Sequence, residues 1–256
     1  MPKQVFLLLV VALLGCASDP RKSLTPADPI PVDPRARPLT ADLFQNAVLI
    51  SVDIQNSKPG PPVTEETMDK AWASWGFTPQ DVNAANEFFF TSALPNAAKV
   101  VRYFHKRKLP VILIRWGCRF KDGMDLDPEV RSTLQIKQNG TSEGMVPLED
   151  DPGSQVHPAL DPQPDDYILP KTAQDAFTSS NIGFVLENLR AKNLFLMGGH
   201  TGACLGKTSK SAKERGYTIL CIEDATFDAT ESRRIPNLNA VGYDYICTTE
   251  QVLSLE

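Results

Sequence analysis

The chain has 256 residues, a size that holds one α/β domain with some extra segments. Hydrophobic residues make up 42% of it, enough for a packed core. A formal charge of −5 with both signs interspersed argues against a nucleic-acid binder, which would show a basic stripe, and no repeat or long like-charge block points to a solenoid or a charged tail.

Residues 1–16 read as an export signal. Lys3 precedes an unbroken apolar run over 5–14, shorter than the roughly 20 residues of a membrane-spanning helix. Leu13-Leu14-Gly15-Cys16 resembles the bacterial lipoprotein box, which implies lipidation of Cys16; the alternative is an ordinary cleaved signal in which Cys16 is incidental. Ala17 is not the aspartate that retains lipoproteins at the inner membrane. The resemblance therefore implies an exported protein at the periplasmic face of the envelope, held to the outer membrane through its lipid alone. Residues 17–42 contain six prolines and little apolar content, the composition of an extended tether. The folded domain is expected over 43–256.

Residues 47–53 form a buried-strand run with a carboxylate, Asp53, at its end. Residues 95–107 show helical spacing through Ala98, Val101 and Phe104, and Pro110 stops the helix. Strands follow over 111–114, with Arg115 at the end, and over 167–169, just before Lys171. A helix over 182–189 leads to a strand over 194–197 that ends in Gly198-Gly199. A helix over 203–215 is closed by Gly216, and strands over 217–222 and 243–248 complete the series. Apolar strands alternating with helices predict a three-layer α/β/α, Rossmann-like parallel sheet of about six strands with helices on both faces. Ligands of such sheets bind beyond the carboxyl ends of the strands, where Asp53, Lys171 and the turn before Cys204 all fall. Residues 58–94 and 119–166 interrupt the alternation and read as insertions over this rim that shape a pocket or a subunit interface. Phe88, Phe89 and Phe90 are expected to complete the core. Trp72 and Trp75 are candidates for an exposed surface of self-association, in a homo-oligomer.

The five cysteines have neither zinc-site nor disulfide-framework spacing. Cys221 and Cys247 lie in strand-like apolar runs and read as buried free thiols. Cys204 differs. It follows two glycines and a turn, in the first turn of a helix, where free N–H groups and the helix dipole favour an anion. A thiol there is expected to have a depressed pKa, and the same N–H groups can hold a developing oxyanion. His200, in that turn, contributes either its ring or its backbone. Arg115 either binds a substrate carboxylate or forms a surface salt bridge. His105 and His157 read as structural.

Gly198-Gly199-His200-Thr201-Gly202-Ala203-Cys204 resembles the cysteine motif of the isochorismatase-like, or cysteine hydrolase, superfamily. Thr208, Ala212, Gly216-Tyr217 and Glu223-Asp224-Ala225 continue the pattern; Val52-Asp53-Ile54-Gln55-Asn56 resembles its aspartate motif, and the segments 156–160 and 166–171 its lysine motif, with Ala176-Phe177 following. Gly199 departs from the pattern, which usually carries Val or Ile there. The resemblance implies a catalytic set of Asp53, Lys171 and Cys204, a cis peptide bond between Gly199 and His200, and oxyanion donors at the N–H groups of His200 and Cys204. Asn56, Arg115 and Phe177 are the candidate substrate-binding residues. The implied reaction is hydrolysis of a small-molecule amide or ureide C–N bond through a thioester, with no cofactor. Residues 58–77 hold no histidine, unlike the zinc-binding branch of the superfamily, so no metal is expected. The alternatives are a vinyl-ether hydrolase of isochorismate type and a catalytically silent binding protein tethered to the envelope.

Overall fold

A computed structural model describes residues 33–68, 70–74, 76–133 and 146–255. The readings placed on the signal segment, on Cys16 and on Trp75 lie outside the described residues. After a short 3-10 turn, Ala41–Phe44, come strand β1 (Ala47–Val52) and helices α1 (Lys70–Ser74) and α2 (Pro79–Phe88). A π-helical turn, Phe89–Ala93, joins α2 to α3 (Leu94–Lys106), followed by β2 (Val111–Trp116) and α4 (Pro128–Thr133). The second half contains β3 (Tyr167–Lys171), α5 (Ala176–Ser179), α6 (Ile182–Asn188), β4 (Asn193–Gly199) and α7 (Cys204–Glu214). It closes with β5 (Thr218–Phe227), α8 (Glu231–Val241), β6 (Tyr245–Cys247) and α9 (Thr249–Leu253).

The strands form one all-parallel sheet in the order β3-β2-β1-β4-β5-β6, with the crossover direction reversing between β1 and β4. Strand alternation builds two cores. Leu49, Leu113, Phe195 and Leu220 face a layer formed with α3, while Ile50, Ile112, Leu196 and Cys221 face α6, α7 and α8. Both faces of the central strands are therefore dry, which is why their sequences read as continuous apolar runs rather than alternating ones. Gly216, at φ 86°, ends α7 in the left-handed region that glycine enters without a Cβ clash.

Residues 33–42 correct the tether expectation. The Pro34 carbonyl accepts the Ile246 N–H, Arg35 pairs with Glu223 at 2.9 Å, Arg37 covers the Tyr245 ring, and Leu39 packs on the core. The compact unit begins at Asp33 rather than residue 43. Proline richness hid this, because prolines also suit a segment laid along the edge strand β6. Helix α8 was not expected, because Pro236 sits inside it. Phe89 is buried in the core and Phe88 and Phe90 pack against it, as expected of that run.

Candidate active site

The site is built where β1 and β4 end side by side. Gly198 has φ 105°, and a Cβ there would fall 2.0 Å from the Val52 carbonyl oxygen, so only glycine lets β4 finish this close to the residue before Asp53. At Gly199 a Cβ would lie 2.7 Å from the Phe227 ring and carbonyl. Phe227 thus fills the space that the branched residue of the motif would need, which accounts for the departure at this position. The Gly199–His200 peptide bond is cis. In the following turn, Thr201 N–H donates to the Phe227 carbonyl, Gly202 N–H to Asp228 Oδ2 at 2.8 Å, and the N–H groups of Ala203 and Leu205 to the His200 carbonyl. Among the described residues no hydrogen bond uses the N–H of His200 or of Cys204, so these two donors are left for a ligand.

Asp53 leaves β1 with φ 56°, a left-handed position that Asp tolerates better than most residues. Lys171, fully buried at the end of β3, has its Nζ 2.9 Å from Asp53 Oδ2 and donates to Cys204 Sγ at 3.1 Å. The ammonium also lies 4.5 Å from the Trp116 ring centroid. Asp53 Oδ1 is buried and has no partner among the described residues, which leaves it free to accept a proton. Three strands thus deliver a carboxylate, an ammonium and a thiol to one point.

Electrostatics correct one expectation. Burial pushes the Cys204 thiol up to about 12; the Lys171 charge opposes this and the Asp53 charge adds to it. The helix terminus does not yield a resting thiolate, because removal from water and the adjacent carboxylate outweigh it. Burial works against the Lys171 ammonium, but Asp53 and Cys204 hold its pKa above the ordinary lysine value. The thiol therefore rests protonated beside the Lys171 ammonium and needs a base at the moment of attack.

A cavity of about 560 Å³ opens over these groups, within the usual size of a small-molecule site. Trp72, Phe77, Trp116 and Phe227 form apolar walls, and Gln55, Gln174, Arg233 and Asn237 supply polar edges. The His200 ring faces the cavity, edge-on to Trp72 and Phe227, with Nδ1 3.6 Å from Asp228 Oδ1. Of the two readings of His200, the turn leaves its N–H free and also turns its ring to the pocket. Asp228 accepts from Thr201, Gly202, Asn237 and Ala229. Burial would raise its pKa, but hydrogen bonding and charge from His200, with the Thr201 and Asn237 bonds, hold the carboxyl well below the usual range.

Three candidate residues lie elsewhere. Asn56 donates to the Pro152 carbonyl, and its neighbour Gln55 lines the pocket instead. Arg115 pairs with Glu149 at 3.0 Å; strand alternation sends Trp116 to the site and Arg115 away from it. Phe177 stacks on Tyr217 and carries Arg215 over its ring. Trp72 is a half-buried pocket wall rather than an exposed aromatic. The described part of 119–166 lines none of the pocket; it closes its own small cluster around Cys118, Leu126, Val130, Val146 and Leu148. His105 bonds Asp166 and His157 caps Ala159, both structural. Cys118, Cys221 and Cys247 are free and buried.

Residues that the sequence reading missed, Asp228, Arg233 and Asn237, come from the end of β5 and from α8. Their signal was faint: Thr230 caps α8 through the Arg233 N–H, but Pro236 obscured the helical period that would have aligned Arg233 with Asn237.

A family model described as the isochorismatase domain matches residues 47–250. A streptothricin hydrolase of Streptomyces noursei is 28% identical over 93 residues, 36% of this chain and 34% of that protein. Ureidoacrylate amidohydrolase RutB of Agrobacterium fabrum is 34% identical over 67 residues, 26% of this chain and 29% of that protein. The matched segments thus span about a third of these curated relatives. A cysteine hydrolase from Pseudomonas syringae pv. phaseolicola has the same fold, with a TM-score of 0.60 at 20% identity over 88% of this chain and 97% of that one.

Proposed function

Because the chain belongs to the isochorismatase domain family, we propose that it is a cysteine-dependent hydrolase of a C–N bond in a small amide or ureide. One observation carries the reading: Lys171 Nζ bridges Asp53 and Cys204 at 2.9 and 3.1 Å at the floor of a small-molecule pocket. An amidohydrolase among the relatives favours an amide or ureide over a vinyl ether.

In this reading Asp53 Oδ1 takes the Cys204 proton as Sγ attacks the acyl carbon. Charge that develops on the carbonyl oxygen is met by the N–H groups of His200 and Cys204. Collapse breaks the C–N bond, and Asp53 returns the proton to the leaving nitrogen, which departs as ammonia or an amine. Water then adds to the thioester and gives its proton to Asp53; collapse frees the acid, and the proton goes back to the sulfur. Lys171 holds both partners in place by charge. A thiol that rests protonated suits this cycle, because attack is coupled to a substrate in position rather than to free electrophiles.

The test is ammonia release across a panel of small amides and ureides by wild type and Cys204→Ala. Release is expected from wild type and a loss of about 10⁴-fold in the variant. Ammonia release that survives the substitution would remove the thioester route.

A further inference from the structure

Of the carboxylates and guanidinium that line the pocket, only Arg233 has no ion-pair or hydrogen-bond partner for its charged group among the described residues. Asp53 is paired with Lys171; Asp228 accepts four hydrogen bonds and faces His200. The Arg233 guanidinium has no hydrogen bond or ion pair among the described residues, and its Cζ lies 4.5 Å above the Phe77 ring. Asp81, whose carboxyl feels the Arg233 charge, already accepts the N–H and hydroxyl of Thr78 on one oxygen. Arg233 and Asn237, one turn apart on α8, both line the pocket. Arg234 points away and is consumed by Glu231 and the Glu223 carbonyl.

We infer that Arg233 binds a carboxylate of the substrate, so that the pocket selects anionic amides or ureides. Contact with the Phe77 ring holds a weakly hydrated guanidinium in place and leaves its N–H fork open for bidentate contact. Depth sets the orientation. Arg233 is exposed, at the mouth, whereas Lys171 and Asp53 lie at the buried floor. A substrate carboxylate at the floor would be repelled by Asp53, so the scissile carbonyl goes to Cys204 and the charged end stays outward. Trp72, Phe77 and Trp116 then flank an apolar middle.

The inference deepens the hydrolase reading and rests on it, and the experiment separates the two. Ammonia release is measured for 3-ureidopropanoate against butylurea and for 4-carbamoylbenzoate against 4-methylbenzamide, with wild type, Arg233→Lys and Arg233→Met. The methionine keeps an apolar chain on Phe77. Wild type is expected to favour the anionic member of each pair, and Arg233→Met to lose about 30-fold in kcat/KM on it, through KM, with the neutral member changed less than about twofold. Arg233→Lys should recover part of the loss. A wild-type preference for the neutral members, or equal losses on both, would overturn the inference. Binding of the same four compounds to Cys204→Ala, with and without Arg233→Met, is measured by calorimetry. If no compound is hydrolysed but the anionic ones bind in an Arg233-dependent way, the hydrolase reading fails and the anion site stands. If no anionic compound binds, the anion site falls.

Discussion

The floor and the mouth of the pocket are made of different material. The floor comes from strand ends: Asp53 follows β1, Lys171 ends β3, and Cys204 begins α7 after β4. Each group is buried or nearly so and bonded to the next, on a sheet whose register holds it. The mouth comes from helices and their approaches, with Trp72 on α1, Phe77 just before α2 and Arg233 on α8. Its contacts are ring edges and a cation over a ring, softer than the ion pair below. Rigid strand ends can hold a reaction geometry, and helix surfaces can change residue by residue without disturbing it. The floor therefore carries chemistry and the mouth selectivity.

Substitutions in the floor should abolish turnover, and those in the mouth should shift substrate affinity. The largest effect after loss of the thiol is expected at Lys171. Lys171→Met leaves the Asp53 carboxylate without its buried cation, and is expected to lower kcat about 10³-fold and stability by about 3 kcal/mol, read by turnover and by denaturant melts. A variant that stays active would break the distinction at once. Between the regions stands Asp228, which holds the turn through Thr201 and Gly202. Asp228→Asn is expected to reduce kcat about 30-fold and to cost about 2 kcal/mol. Its sign with pH is fixed: the folded pKa lies below the unfolded one, so the carboxylate stabilises fully above the ordinary Asp range and progressively less as pH falls. The stability gap between wild type and Asp228→Asn should be constant near neutrality and close on acidification; a gap that widens in acid would contradict the assignment. The smallest effect belongs to the mouth. Trp72→Ala is expected to raise KM about tenfold with kcat nearly unchanged, since it removes a wall and touches no reacting group. A comparable fall in kcat would place Trp72 in the floor's machinery.

The same division explains what could be read in the sequence. The central strands were legible because burial on both faces makes each an unbroken apolar run, and the site groups stood at run ends, as in residues 47–53 and 194–199. Arg115 shows the limit of that logic. A strand end places a residue on the rim but does not say which face it takes, and the pleat gave the pocket to Trp116. Asn56 and Gln55 differ in the same way. Phe177 follows the lysine motif in sequence yet packs on Tyr217, because α5 turns it toward α7 and the start of β5. The mouth was legible only as a segment: residues 58–94 were expected over the rim and supply Trp72 and Phe77, but which side chains face the pocket, and that Arg233 of α8 joins them, is set by tertiary packing. The thiol's electrostatics were misjudged for a related reason. A helix terminus can be read locally, but the burial that dominates Cys204, and the Lys171 and Asp53 charges beside it, are supplied by distant strands.

The central claim is that Asp53 acts as proton acceptor for a thiol that burial keeps protonated, with the Asp53 charge adding to it. The most direct measurement follows alkylation of Cys204 by iodoacetamide at pH 8 beside ammonia release, in wild type and Asp53→Asn, with melting curves to verify folding. Loss of the carboxylate charge, with Lys171 retained, lowers the thiol pKa, so alkylation is expected to quicken about tenfold while hydrolysis falls about 10³-fold. Alkylation and hydrolysis falling together, or hydrolysis persisting in a folded variant, would contradict that role for Asp53.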